Sequence, residues 1–297
     1  MGRRHDTVTF LSDLGTTDER VGVVKAVVRD LAPHAQVIDL THGIAPFDVR
    51  AGSLALARAV AYLPAGVVLA IVDPGEGTSR RAVAIEVAGG AGVFVGPDNG
   101  LLAPAVAMAG GAERCVELTA ADFHLVAPGV DGPGTVSAWR DVFASVAAHL
   151  CNGVDLDELG DPVEAELLLP GVVPLPREEG DALACEVLTV DRFGNCQLNA
   201  GPDYVAHLGP RVRVTAGDPA APGGPTVRVA TRVAPYGEAP GGAIGLVVDG
   251  SGMCSLVLDR RSAAEELSLA AGDQVVLAAL GEDDRGGVTS PVTLRTS

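Results

Sequence analysis

From Val8 to about Ala109 the chain alternates continuous apolar runs with segments whose apolar residues recur every three or four positions. The first pattern marks strands and the second marks amphipathic helices. Strands are expected in "TVTFLSD" from Thr7, "AQVIDLT" from Ala35, "GVVLAIVDPG" from Gly66, "RRAVAIEVA" from Arg80 and "GVFVGPD" from Gly92. Helices are expected in "RVGVVKAVVRDLA", ended by Pro33, in "VRAGSLALARAVAYL", ended by Pro64, and in "GLLAPAVAMAG". The third strand is apolar on both faces, as a strand covered by helices on both sides must be. Alternating strands and helices therefore predict an α/β domain with a mostly parallel sheet. In such sheets ligands sit beyond the carboxyl ends of the strands. "SDLGTTDE", "THGIAPFD", "DPGEGTSR" and "GPDNG" all fall there.

The texture changes near "LLLPGVVPLPREEGD", where Pro170, Pro174 and Pro176 predict a stiff extended linker. Beyond it come short alternating strands separated by Gly and Pro turns: "CEVLTVDRFGNCQLN", "RVRVTAG", "PTVRVATRVA", "GAIGLVVDGSGMCSLVLD" and "DQVVLAAL". That spacing predicts a small β-barrel or sandwich. The expected organisation is an α/β domain over residues 1–169, a linker over 170–181 and a smaller C-terminal β-barrel domain over 182–297.

Composition narrows the function classes. Of 297 residues, 47% are hydrophobic but only 3% aromatic, so Ala, Val and Leu must fill the cores. A net charge of -17 argues against nucleic acid, whose phosphates need a basic surface. No apolar run is long enough to span a membrane, and the N-terminal segment turns polar too soon for a signal peptide. A cytoplasmic protein with no membrane partner is expected. The five cysteines are scattered and form no CxxC pair, so free thiols and no metal site are expected.

Several residues carry candidate chemistry. Asp13 follows the first strand, where a carboxylate either accepts ribose hydroxyls or caps the following helix. Neither GxGxxG nor a P-loop occurs there, so no phosphate cradle is indicated. Phe47 stands in the loop after the second strand, free to pack on a ligand or to enter the core. In "VDPGEGTSRR", glycines let Asp73 and Arg80 meet across a loop, either to orient a water or only to close the strand end. In "DRFGNCQLN", Asp191, Phe193 and Asn195 suit a purine through stacking and edge hydrogen bonds, or else build a bulge at Gly194. The "DGSGMCS" turn, with Ser251 and Met253, offers backbone amides to a carboxylate or is a plain hairpin turn.

In order and spacing, "FLSDLGTTDERVGVVKAVV", "VIDLTHGIAPFDVRAG", "VDPGEGTSRRAVA", "VGPDNGLL", "DRFGNCQLN" and "DGSGMCSL" resemble the S-adenosylmethionine hydroxide adenosyltransferase family. The resemblance extends to the S-adenosylmethionine-dependent fluorinase and chlorinase and runs from about Val8 to Leu280. It implies a homotrimer with active sites between one subunit's N-terminal domain and a neighbour's C-terminal domain. It also implies attack of water or hydroxide on the 5′ carbon of S-adenosylmethionine, giving adenosine and L-methionine without a cofactor. Under the resemblance Asp13 takes the ribose hydroxyls, and Asp18 and Asp191 lie near the methionine ammonium. Phe47 packs beside the reacting carbon. Phe193 and Tyr236 sandwich adenine, Asn195 bonds its edge, and Ser251 and Met253 join the substrate site. Asp73 and Arg80 supply two members of a water-handling Asp-Arg-His triad.

The chain departs from the family where "TFHGRD" would stand. Here the stretch reads "TVSAWRD", which puts Ala138 at the histidine position and Trp139 at the glycine. His124 lies upstream, and Ser137 offers a hydroxyl for a water. Arg20 and Gly250 replace residues that contact methionine in the halogenases. Three functions follow: a hydrolase, a non-catalytic S-adenosylmethionine or adenosine binder with an incomplete triad, and a halogenase. The last is disfavoured because Asp73 and Glu76 would repel a halide.

Overall fold

The computed structural model describes residues 2, 4–126, 137–217, 224–234 and 242–280. The chain divides into two compact units, Met1–Val172 and Val173–Ser297.

The first unit holds strands β1 (Thr7–Ser12), β2 (Gln36–Thr41), β3 (Gly66–Ile71), β4 (Ala82–Val87), β5 (Gly92–Pro97), β6 (Arg114–Glu117) and β7 (Asp161–Pro162). Its helices are α1 (Arg20–Leu31), α2 (Val49–Ala59), α3 (Ala103–Met108) and α4 (Ser145–Cys151). The strands form one sheet in the order β2-β1-β3-β5-β4-β6-β7. β2, β1, β3 and β5 are parallel, while β4 runs against both β5 and β6. The expected mostly parallel sheet is present. β4 is its antiparallel insertion because only a short turn separates it from β5, too short for the crossover that a parallel pair requires.

β3 is buried along its whole length, and its side chains alternate between two cores. Val67, Leu69 and Ile71 meet α1 and α4 on one face. Val68, Ala70 and Val72 meet the α2 and α3 side on the other. This two-sided burial is why the strand reads as an unbroken apolar run. It also means that both cores fix the strand's carboxyl end, from which Asp73 projects.

The second unit holds β8 (Arg177–Glu179), β9 (Ala182–Val190), β10 (Cys196–Leu198), β11 (Arg211–Ala216), β12 (Thr226–Arg232), β13 (Ile244–Val248), β14 (Cys254–Leu258) and β15 (Gln274–Ala279), with helix α5 (Ala263–Leu267). The order β10-β14-β13-β12-β11-β15-β9 closes on itself through the β10–β9 pairing. This is a seven-stranded barrel, and closure removes the free edges that short strands would otherwise expose. β8 pairs with the start of β9, inside the stretch expected to be an extended linker. Leu183, Val187, Leu198, Val214, Leu256 and Leu277 lie in the barrel's apolar core. All five cysteines are free and buried. Burial pushes the thiols of Cys151 and Cys185 up to about 12, far from reactive thiolates.

Candidate active site

The first unit gathers its polar loops at the carboxyl ends of β1, β2 and β3. Asp13, directly after β1, donates its backbone N–H to the Ile71 carbonyl at 3.2 Å. Its Oδ2 accepts the backbone N–H of Phe47 at 2.8 Å. Asp13 does not cap α1; that bond comes from Asp18, whose Oδ1 accepts the Arg20 N–H at 3.1 Å. The Asp13 contact pins Phe47 in a left-handed backbone conformation, φ 68°, which a bulky residue adopts only when its surroundings impose it. Phe47 stays 69% exposed, so it is not a core residue.

Beneath this loop, Ser12 Oγ lies 2.8 Å from His42 Nδ1, and His42 Nε2 lies 3.1 Å from Asp39 Oδ1. Lys25 completes the chain with a 2.6 Å ion pair to Asp39. The residue types match a nucleophilic triad, but Ser12 is fully buried and its Oγ also accepts the Leu14 N–H. The chain of bonds ties β1 to β2 and so seats Asp13.

After β3, Asp73 and Arg80 form an ion pair, with both side chains largely buried. The other Asp73 oxygen accepts the Gly75 N–H at 3.0 Å. Arg80 also donates to the Arg81 carbonyl at 2.5 Å, and its guanidinium carbon lies 5.7 Å from the centre of the Phe143 ring. Gly75 lies close under this arginine: a Cβ there would sit 3.2 Å from Arg80 Cδ, tight enough to ask a small shift of that side chain. Burial pushes the Asp73 carboxyl above its ordinary value, opposed by Arg80 and the Gly75 N–H and reinforced by Asp13.

Glu76, four residues before Arg80, receives the backbone N–H of Ala138 on Oε1 at 2.9 Å. Ala138 precedes a π-helical turn, Trp139–Ala144, a wide form that recurs at functional sites. This turn supplies three things at once: the Ala138 N–H to Glu76, the Trp139 side chain to the cavity wall, and the Phe143 ring beneath Arg80. Burial raises the Glu76 carboxyl, Asp73 adds to that, and the Ala138 N–H, Arg20 and Arg80 oppose it.

Asp13, Leu14, Arg20, Pro46, Phe47, Ile71, Asp73, Glu76 and Trp139 enclose a cavity of about 230 Å³. Of the residues expected in a site, Asp13, Phe47 and Asp73 are thus brought together, with Arg80 directly behind Asp73. Asp18 is not on the wall; it is committed to Arg20 by the N–H bond and a 3.6 Å ion pair. His124 is not on the wall either. Burial depresses its imidazole, against the Leu118 carbonyl and Asp141. Glu76 and Trp139 were not among the expected site residues, and only the loop-to-helix hydrogen bond reveals their shared position.

"GPDNG" has a structural role. Asp98 takes Arg81 Nε and Nη2 at 2.9 and 2.6 Å and the Leu169 N–H at 2.8 Å, while Asn99 donates to the Val72 carbonyl at 2.8 Å. A larger, mainly aliphatic cavity of about 420 Å³ adjoins Asp98, but that carboxylate is already engaged by these donors.

In the second unit, Asp191 organises the turn after β9. Its Oδ1 accepts the N–H groups of Phe193 and Asn195 at 2.8 and 2.9 Å, and its Oδ2 accepts Asn195 Nδ2 at 2.8 Å. Phe193 is left 72% exposed, so it is not a core residue. Gly194 has φ 81°, and a Cβ there would lie 2.1 Å from Ser262 Oγ. Phe193, Asn195, Val257, Leu258 and the Asp259–Ser262 turn line a cavity of about 460 Å³. In the "DGSGMCS" turn the Ser251 and Met253 amides already donate to Asp249 Oδ1, at 2.8 and 3.2 Å. Asp249 Oδ2 holds Gln197 and Ser255. The hairpin-turn reading therefore accounts for those two amides, which have an internal carboxylate as partner. Tyr236 lies outside the described residues.

The first unit is an α/β domain with a charged cavity beyond its strand ends, and the second is a closed β-barrel with an exposed aromatic beside its own cavity. The family models specify these units further. Residues 8–160 match the SAM hydroxide adenosyltransferase N-terminal domain and residues 185–276 match the C-terminal domain of the same family. The chain belongs to the SAM hydroxide adenosyltransferase family. It is 42% identical to the (R)-S-adenosyl-L-methionine hydrolase of Salinispora tropica, over 90% of this chain and 96% of that protein. It is 27% identical to a fluorinase of an Actinoplanes species, over 65% of this chain and 70% of that protein. The crystal structure of an uncharacterized conserved protein from Thermotoga maritima superposes with a TM-score of 0.80 at 30% identity, covering 91% of this chain and 99% of that one.

Proposed function

We propose that the protein hydrolyses S-adenosylmethionine to adenosine and L-methionine by attack of water at the 5′ carbon. The observation that carries this reading is that Asp73, anchored by Arg80, shares one cavity with Asp13 and Phe47. A sulfonium leaves as a neutral thioether, so the protein has little acid catalysis to perform. Its work is to place and desolvate a water in line with the C–S bond. Asp13 has one oxygen on Phe47 and the other left for a ribose hydroxyl. The exposed Phe47 ring covers the ribose side. In the second unit Phe193 offers a stacking face for adenine and Asn195 an amide for its edge. Two negative groups on the cavity wall, Asp73 and Glu76, favour a cationic substrate and oppose a halide, which separates this chain from the fluorinases.

Each unit carries only part of this site: the reaction groups in one, the base-stacking face in the other. On the resemblance to the family, we take the working form to be a homotrimer in which one copy's α/β unit meets another copy's barrel, acting in the cytoplasm without a cofactor. Mixing Asp73→Ala protein with Phe193→Ala protein tests this. At substrate well below KM, where each variant alone is impaired, the mixture exceeds the sum of the two separate activities if sites are shared between copies, and equals it if they are not.

The test of the reaction itself is to incubate the protein with S-adenosylmethionine, as the resolved sulfonium epimers, with and without chloride or fluoride, and identify the nucleoside. Adenosine supports hydrolysis and 5′-halo-adenosine overturns it. Bound but unchanged substrate makes the protein a binder, the reading that an alanine at position 138 would favour.

A further inference from the structure

We propose that Glu76 is the group that accepts the proton of the attacking water, taking the place in this chain of the imidazole that position 138 lacks. The assignment rests on the hydrolase reading above and names one of its catalytic residues.

Of the three carboxylates on the cavity wall, Asp13 takes the Phe47 N–H and leaves its other oxygen to the ribose, while Asp73 and Glu76, which share the loop after β3, differ in how fully they are engaged. Asp73 has a guanidinium on one oxygen and a backbone N–H on the other. Burial raises both carboxyls, but the guanidinium on Asp73 favours its charged form and opposes its protonation in a way the single amide on Glu76 does not. Glu76 receives one neutral donor, the Ala138 N–H, on Oε1. Its side chain makes no ion pair within contact distance among the described residues. The charges acting on it are Asp73 and Arg80 on its own loop, with Arg20 from the start of α1. The turn that packs on it, Ala138–Ala144, presents only the backbone N–H, since Arg140 is committed to Asp141 at 2.5 and 2.9 Å.

The geometry also explains the departure from the family pattern. Ala138 contributes through its main chain, so losing a side chain there costs Glu76 nothing. Trp139 lines the same cavity as Glu76. Partial burial, with the neighbouring Asp73, raises the affinity of Glu76 for a proton, against the Ala138 N–H, Arg20 and Arg80.

The step balances. The water oxygen bonds to C5′ as the C5′–S bond breaks, and the electron pair stays on sulfur, which departs as methionine's thioether. One proton of the water passes to the Glu76 carboxylate and from there to solvent. Asp73, anchored from behind by Arg80, accepts the water's second hydrogen.

The test is Glu76→Gln in the full chain. Glutamine keeps a carbonyl oxygen for the Ala138 N–H, so the turn stays seated, and calorimetric binding of S-adenosylmethionine verifies this. A general base contributes about 10²–10⁴-fold, so kcat is expected to fall by at least about 100-fold while Kd stays within about threefold. The acidic limb of the parent's kcat–pH profile should vanish, and Glu76→Asp should restore part of both. If kcat stays within about threefold of the parent, or if Kd weakens as much as kcat falls, Glu76 is not the acceptor, yet the hydrolase reading stands. If the parent itself releases no adenosine, the hydrolase reading fails and this assignment with it.

Discussion

Two aspartates do the same job in the two units. Asp13 accepts the backbone N–H of Phe47, and Asp191 accepts the backbone N–H of Phe193, each at 2.8 Å. Both leave an aromatic ring largely exposed. The difference is in reach. Asp191 acts across two residues, in a local turn that any chain with Asp and Gly so spaced can form. Asp13 acts across 34 residues, and its geometry exists only once β1 and β2 are paired. The barrel's aromatic platform is therefore local and self-contained. The α/β unit's platform depends on a sheet and on the buried Ser12–His42–Asp39 chain beneath it. The two cavities also differ in charge: Asp13, Asp73 and Glu76 line the one in the α/β unit beside a single arginine, Arg20, whereas Asp259, Arg260 and Arg261 stand with Phe193 on the one in the barrel.

The sharpest way to break this division is Asp73→Ala. If the α/β unit holds the chemistry, kcat should fall by about 10²–10⁴-fold with Kd for S-adenosylmethionine within about threefold. Equal losses in both would make Asp73 a structural residue. Phe193→Ala should do the reverse. Base–aromatic stacking is worth about 1–3 kcal/mol, so adenosine binding measured by calorimetry should weaken by roughly 5- to 150-fold, with kcat at saturating substrate changed far less. A retained affinity would remove the barrel platform from the site.

Gly194→Ala tests how local that platform is. Its Cβ would meet Ser262 side chain and backbone at a positive φ, a strain expected to cost about 2–4 kcal/mol. Melting temperature and adenosine affinity should fall together. On the other side of the comparison, Ser12→Ala removes the Ser12–His42 hydrogen bond and the Oγ that accepts the Leu14 N–H. A loss of about 1 kcal/mol in denaturant unfolding is expected, together with a raised KM as Asp13 and Phe47 lose their seat. An unchanged KM would show that the aromatic loop does not need the network.

The smallest effect concerns pH. Burial raises Glu76 in the folded protein, so folding favours its protonated form. In the window between the unfolded value, about 4.3, and the raised folded value, the unfolded chain has released its proton while the folded one has not. Stability from this group is therefore greatest at low pH and declines as pH rises through that window. Glu76→Gln should be more stable than the parent at neutral pH, with the gain fading below about pH 4. A gain independent of pH would mean that the carboxylate is not buried.

The residues followed most readily from sequence are those whose role depends on neighbours a few positions away. The β3 run, the helices stopped by Pro33 and Pro64, the hairpins of the barrel and the Asp191 turn are legible because periodicity and turn chemistry act over short distances. The Asp73–Arg80 pair was legible for the same reason, since two glycines in seven residues allow few other outcomes.

What the sequence could not decide is which distant groups meet. Asp18 stands in a motif beside Asp13, yet it spends its carboxylate on Arg20. The Ser251 and Met253 amides are in a turn that suits an anion, yet Asp249 already occupies them. Glu76 reads as one more charge in a polar loop until Ala138, 62 residues away, is found donating to it. Chain order alone determined the α/β-then-barrel architecture and the local turns, because backbone propensity and apolar period are short-range properties. Tertiary packing alone decided which carboxylate is saturated with donors and which is left able to take a proton, because hydrogen-bond satisfaction in a buried cavity is set by whatever other strands and helices deliver there.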